Sequence, residues 1–154
     1  MDHELTILSD SMSEAGREVL RLAAAGFETY TKADQSPVTS ADLAVNQILH
    51  DRLSAAFPED GWLSEETADS AARLSRTRVW IVDPIDGTRS FVRGLPEFCL
   101  SVALVEHGVP SVAAIFNPAT GEFFSAIRGR GVRVERLLDT DQPAFTSPER
   151  PVAL

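Results

Sequence analysis

Residues 80 to 91, Trp-Ile-Val-Asp-Pro-Ile-Asp-Gly-Thr-Arg-Ser-Phe, constrain the fold and chemistry more than any other stretch. The run from Arg78 to Val82 is aromatic and β-branched, and four of its five members are apolar. Such a run predicts a short buried strand. Pro84 donates no ladder hydrogen bond, so the strand is expected to stop at Asp83. Asp86 follows three residues later, with Gly87 directly after it. Two carboxylates on a tight turn, with the Ile85 carbonyl between them, form a compact set of oxygens. That set suits a hard divalent cation such as Mg²⁺. Gly87 lets backbone approach a ligand closely. A helical turn opening at Thr88 would present free N–H groups that favour an anion such as phosphate. Asp-Pro-x-Asp-Gly is also the composition of an ordinary surface turn, and the five residues alone leave both readings open.

The rest of the chain predicts α+β organisation. Leu5, Leu8, Met12, Ala15, Val19 and Leu22 recur at spacings of three and four, the stripe of a core-facing helix of roughly five turns ending near Gly26. His3 and Glu4 fall at its frayed start. Residues 27 to 38 read as a strand or hairpin with a turn at Asp34-Gln35-Ser36-Pro37. A second helix is expected from Ala41 to Phe57, with Val45, Leu49, Leu53 and Phe57 on one face and Pro58 as its stop. Thr39-x-x-Asp42 has capping-box spacing ahead of it, which by itself explains an acid at 42. His50 reads as a solvated helix residue. Glu65-Glu66 follows Trp62-Leu63, which would draw an otherwise solvated acidic loop towards the core. Residues 67 to 77 read as a surface linker or short helix. Large residues at 98, 100, 102 and 104 alternate with smaller ones, the period of a strand. A hairpin follows over 111 to 127, with His107 at the preceding turn. The Arg128-Gly129-Arg130-Gly131 turn is a poor phosphate loop, because no helix is expected after it. From Val132 onward the pattern degrades, and Pro143, Pro148 and Pro151 suggest a loose tail.

Among 154 residues, 23 are acidic and 14 are Lys or Arg, a formal charge of −9. That balance argues against a nucleic-acid polymer as partner, because phosphate backbones need a basic patch. It does not argue against a small phosphate ester, since bound Mg²⁺ would reverse the local field. One cysteine, Cys99, excludes an internal disulfide and fits a reducing compartment; it reads as a small core residue. The N-terminus has no signal-peptide character and no run is apolar enough to span a bilayer, so a cytoplasmic chain without membrane partners is expected.

Four segments together resemble the inositol monophosphatase superfamily. They are Trp80 to Arg93, Lys32 to Asp42 with its Ser-Pro-Val-Thr-x-Ala-Asp core, Phe57 to Thr67, and Phe91 to the Arg128 turn. That superfamily comprises Mg²⁺-dependent, lithium-sensitive phosphatases, including CysQ-type 3'(2'),5'-bisphosphate nucleotidases. The resemblance spans residues 5 to 134 but matches only the N-terminal half of a family member. It implies two helices packed on an antiparallel sheet, half of the layered sugar-phosphatase fold, with a metal-binding domain over 1–134. Residues 135–154 would be a loose tail or a truncated junction. It also implies a site. Glu65, Asp83 and the Ile85 carbonyl would hold one Mg²⁺, and Asp83 and Asp86 a second. Asp42 would hold Thr88, which orients the attacking water. Asp86, Gly87 and Thr88 would contact substrate, Lys32 would approach on a mobile loop, and Glu66 would stand behind the ligands. Ser64 stands where many members have Gly. The Trp-Asp-x-Ala segment that completes the second metal site is absent, as Trp62 and Trp80 both lie in the first half. The expected function is hydrolysis of a small phosphate monoester, an inositol monophosphate or a bisphosphate nucleotide. The alternative is a non-catalytic half that pairs with another chain, as a homo-oligomer or with a complementing C-terminal half.

Overall fold

In the computed structural model, which describes residues 1–139 and Phe145, two long helices lie on one face of a six-stranded sheet. Helix α1 spans Asp2–Ala25 and α2 spans Ser40–Ala56. The expected stripe of α1 is buried at Leu8, Met12, Ala15 and Val19, and Gly26 ends the helix at a φ of 103°. Between the helices, β1 (Thr29–Thr31) and β2 (Pro37–Thr39) form a small antiparallel ribbon.

The main sheet runs β3 (Gly61–Ser64), β4 (Arg78–Asp86), β5 (Cys99–Glu106), β6 (Val109–Asn117), β7 (Glu122–Ile127) and β8 (Gly131–Arg136), neighbours in that order. A short 3-10 helix, Ala71–Ser75, connects β3 to β4, and α3 (Thr88–Val92) follows β4. The core lies between helices and sheet: Trp80, Val82, Leu100, Val102, Leu104, Val112, Phe116 and Phe123 face α1 and α2.

The expected α+β arrangement is present, two helices on a largely antiparallel sheet, with one parallel pair, β3 and β4, joined through the crossover that the 3-10 helix interrupts. Three expectations need correction. Strand β4 does not stop at Asp83: it runs through Pro84 to Asp86, with a register shift between Asp83 and Asp86 that accommodates a residue with no N–H. The chain beyond Val132 is not loose at once. Val132 and Val134 alternate with Arg133 and Glu135 in the exposed edge strand β8, which crosses the boundary expected at residue 134. Finally, Glu4 is buried, not frayed. It meets Arg78, whose guanidinium also grips Asp60 through two nitrogens at 2.9 and 3.2 Å. Of the expected tail, residues 140–144 and 146–154 lie outside the described residues.

The second face of the sheet is apolar and no described helix covers it. Cross-strand register aligns Ile81, Ala103, Ala113, Ala126 and Val132 in one row, and Asp83, Ser101, Ile115, Phe124 and Val134 in the next. Ile115 is 47% exposed, Val132 71% and Val134 61%. An exposed face of this kind is unusual for an isolated domain.

Candidate active site

The site is assembled at the ends of β3 and β4, where the irregular end of β4 turns into α3. Gly87 is the N-cap of α3 in a left-handed conformation, with a φ of 92°. A Cβ there would lie 2.8 Å from the Glu97 carbonyl oxygen and 3.1 Å from Phe98 Cα, so only glycine fits. Ser90 and Phe91 donate their N–H groups to the Gly87 carbonyl at 2.9 and 3.1 Å, which fixes the turn. The helical turn expected after Gly87 is therefore present.

Asp42 joins helix α2 to this turn, and its two oxygens have separate tasks. Oδ2 accepts from the Thr39 N–H at 2.7 Å and from the Thr39 hydroxyl at 2.5 Å, closing the capping box with Thr39 Oγ1. Oδ1 accepts from the Thr88 hydroxyl at 2.9 Å. Thr88 Oγ1 also stands 2.9 Å from the Ile85 carbonyl, so its single proton has two acceptors. The cap and the link to Thr88 coexist because a carboxylate has two oxygens. Asp42 and Thr39 are both buried.

The remaining carboxylates gather around Asp83. Burial, then the charges of Glu65 and Asp86, push the Asp83 carboxyl up to about 7. Its Oδ1 is buried and has no hydrogen-bond partner. Asp86 is exposed at the end of β4, opposite Cys99. Cys99 is half-buried and not in the core as expected, and burial, with Asp86 and Asp83 nearby, pushes its thiol up to about 11. Glu65 is held at its backbone, where its N–H donates to the Val82 carbonyl at 3.2 Å. Glu66 is the more buried of the pair, its side chain 8% exposed against 54% for Glu65. Burial raises the Glu66 pKa, against the pull of Lys32. Lys32 Nζ donates to Glu65 at 2.8 Å and to Glu66 at 2.5 Å.

Sequence reasoning missed Asn46. Its side chain accepts from the Ser64 hydroxyl at 2.6 Å and donates to Thr67 at 2.9 Å, tying α2 to the loop that carries Glu65. Asn46 lies four residues after Asp42, one turn along the same helix face, and that spacing was the available signal. Ser64 in turn accepts from the Glu66 N–H at 3.3 Å. His50 packs edge-on against Trp62 and takes no part in the site.

Among the described residues, no three acidic, histidine or cysteine side chains stand together at metal-holding distances. The donor chemistry nonetheless fits a hard divalent cation. The residues present are carboxylates and a carbonyl, the orphaned Asp83 Oδ1 lacks a positive partner, and an ammonium already bridges two of the acids.

The sequence matches the model of the inositol monophosphatase family over residues 1–151. It is 41% identical over 133 residues to a histidinol-phosphatase from Mycobacterium tuberculosis, an alignment covering 85% of this chain and 50% of that protein. The fold superposes on the extragenic suppressor protein SuhB from Bartonella henselae with a TM-score of 0.80 at 30% identity, covering 86% of this chain and 52% of that one. It superposes on an IMPase/NADP phosphatase complexed with Mg²⁺ and phosphate with a TM-score of 0.78 at 25% identity, covering 86% and 51%. The chain thus spans about half the length of the relatives it matches.

Proposed function

The chain belongs to the inositol monophosphatase family, and on that premise we propose that it is the site-bearing half of a Mg²⁺-dependent phosphatase of small phosphate monoesters. The observation that carries this reading is the Asp42–Thr88 hydrogen bond beside the orphaned Asp83 oxygen. Glu65, Asp83, Asp86 and the Ile85 carbonyl would hold the cation. When bound, Mg²⁺ supplies an acidified water and neutralises charge developing on phosphate. Asp42 Oδ1 accepts the hydrogen bond of the Thr88 hydroxyl, which leaves a lone pair on the Thr88 oxygen to accept a hydrogen bond from the attacking water and aim it; as the water loses its proton to Thr88, the Thr88 proton passes to Asp42. The first turn of α3, at Gly87 and Thr88, offers N–H groups to phosphate oxygens. Asp42, buried and locked by Thr39, has no freedom to turn away from Thr88.

The substrate is an ester whose phosphate alone reaches this half. Histidinol phosphate, inositol 1-phosphate and adenosine 3',5'-bisphosphate are the panel to test, with Mg²⁺, the purified chain and an Asp83→Asn control. Release that disappears in the control supports the reading. Mg²⁺ binding without release from any of the three esters supports a second reading, a half that acts only when paired. The bare apolar rows through Ile115, Phe124, Val132 and Val134 favour such pairing, with a complementing half or a second copy. Sedimentation velocity with a Phe124→Lys variant tests it: loss of association in the variant is the expected result.

A further inference from the structure

Strand β8 closes the main sheet on one side, and among the described residues nothing pairs with its outer edge. The chain that follows leads away from that edge. Leu137 donates its N–H to the Gly121 carbonyl at 3.1 Å, and the Phe145 ring centre lies 5.1 Å from that of Phe98 and 6.0 Å from that of Phe91 in α3. Antiparallel pairing turns the backbone groups of alternate residues in opposite directions. The Leu137–Gly121 bond continues the β7–β8 ladder, in which Glu135 stands opposite Phe123, Arg133 opposite Ser125 and Gly131 opposite Ile127. The N–H and C=O groups of Gly131, Arg133 and Glu135 therefore point to β7, and those of Val132, Val134 and Arg136 point outward. Side chains alternate on the same period. Arg133 and Glu135 stand on the helix side of the sheet, and Val132 and Val134 on the bare side. Among the described residues, neither Arg133 nor Glu135 makes a salt bridge or a side-chain hydrogen bond.

We propose that the outer edge of β8 is a self-recognition surface, which pairs antiparallel with β8 of a second copy about a twofold axis through Val134. Such an interface presents the same strand from both sides, so the position of the axis fixes every contact. With the axis at Val134, the two copies of that residue exchange their outward N–H and C=O groups, and Val132 stands opposite Arg136 of the second copy. Arg133 stands opposite Glu135 of the second copy, in a non-hydrogen-bonded position where cross-strand side chains come closest. Symmetry makes that ion pair twice. The neighbouring registers oppose themselves: an axis at Arg133 sets two arginines against each other, and an axis at Glu135 sets two glutamates. An axis between residues sets outward backbone groups against inward ones. Charges on an edge strand usually prevent unwanted pairing. Here their alternation in sign admits one register and rejects its neighbours. The two sheets then run as one, and the apolar row through Phe124 and Val134 continues across the axis.

This pairing is independent of the phosphatase reading, and because the contact is edge to edge it leaves the bare face open. Sedimentation equilibrium of the 154-residue chain, at concentrations up to about 200 µM, is compared with that of Arg133→Glu, of Glu135→Arg and of an equimolar mixture of the two variants. Both side chains are exposed, and circular dichroism checks that each variant is folded. The wild type should dimerise. Each variant alone sets like charges opposite each other at both symmetric positions and should dimerise about tenfold more weakly. The mixture should recover the wild-type affinity to within about threefold, because in a mixed pair every acid at these positions of one chain meets an arginine of the other. A wild type that stays monomeric overturns the edge pairing. Dimerisation indifferent to both substitutions overturns it as well and assigns the contact to another surface. Weakening of both variants without recovery in the mixture overturns the register centred on Val134. None of these outcomes alters the phosphate-release assay, so the phosphatase reading stands or falls separately.

Discussion

Replacing Asp42 by alanine separates a structural task from a chemical one, and the geometry sets how much stability is at stake. The substitution deletes three hydrogen bonds at 2.7, 2.5 and 2.9 Å. Thr88 keeps the Ile85 carbonyl as an acceptor, so its hydroxyl is not orphaned. Thr39 is worse placed. Its N–H and hydroxyl proton are left without partners in a fully buried position, and its Oγ1 goes on accepting from Ala41 and Asp42 N–H. One unsatisfied buried donor costs about 1–3 kcal/mol, and losing half a capping box about 1 kcal/mol. Removing a buried carboxylate returns part of this, so the net cost should be about 3 kcal/mol. Asp42→Asn should cost less, about 1–2 kcal/mol, because an amide oxygen satisfies Thr39 or Thr88 but not both. Urea unfolding followed by the fluorescence of Trp62 and Trp80 measures both. Thr88→Val should cost only about 1 kcal/mol. If Asp42→Ala loses less than Thr88→Val, the carboxylate is not the cap's anchor and the division of labour between its oxygens is wrong.

Other perturbations give equally definite outcomes. In EDTA, the folded pKa of Asp83 is raised from 3.8 to about 7, so the folded state binds this proton more tightly than the unfolded state. Stability should therefore fall as pH rises between those values and remain lower above about 7. Discounted for the solvent near this group, the effect is about 2 kcal/mol. Asp83→Asn should flatten that fall and stabilise the metal-free chain at pH 8, as read from urea midpoints at pH 5, 6, 7 and 8. Gly87→Ala combines a φ of 92° with a Cβ 2.8 Å from a carbonyl oxygen, and should lower stability by about 2–3 kcal/mol in thermal unfolding. Arg78→Leu takes the guanidinium from Asp60 and Glu4, both largely buried, and leaves Asp60 the Trp80 indole N–H at 2.9 Å and Glu4 the Met1 ammonium at 2.6 Å, so it should cost about 2 kcal/mol. Arg78→Lys should recover only part of this, since one ammonium cannot replace the two-nitrogen grip on Asp60.

What the sequence disclosed follows from the range of each interaction. The helices were legible because burial repeats at helical spacing, and the Thr39–Asp42 box because its partners are three residues apart. The site turn was legible because proline, two aspartates and glycine restrict one another locally. Edge strand β8 was missed although Gly-Val-Arg-Val-Glu-Arg alternates in period two. Three of its six residues are charged, and an exposed strand lacks the apolar run that marks a buried one. The passage of β4 through Pro84 depends on a register shift against β5, which no single strand announces. The Glu4–Arg78 pair lies 74 residues apart and the Lys32–Glu66 pair 34, so only the folded chain reveals them.

Asp83 shares its row with Ser101, Ile115, Phe124 and Val134 on the bare face of the sheet. The acid of the proposed cation site is thus continuous with the bare face of the sheet. Anything seated on that face strips water from Asp83 and makes its lone negative charge harder to sustain, while a cation beside it becomes correspondingly more welcome. Linkage runs both ways: a cation that neutralises Asp83 removes the penalty for covering it. If the proposed cation site and the proposed cover both form, each would strengthen the other through Asp83.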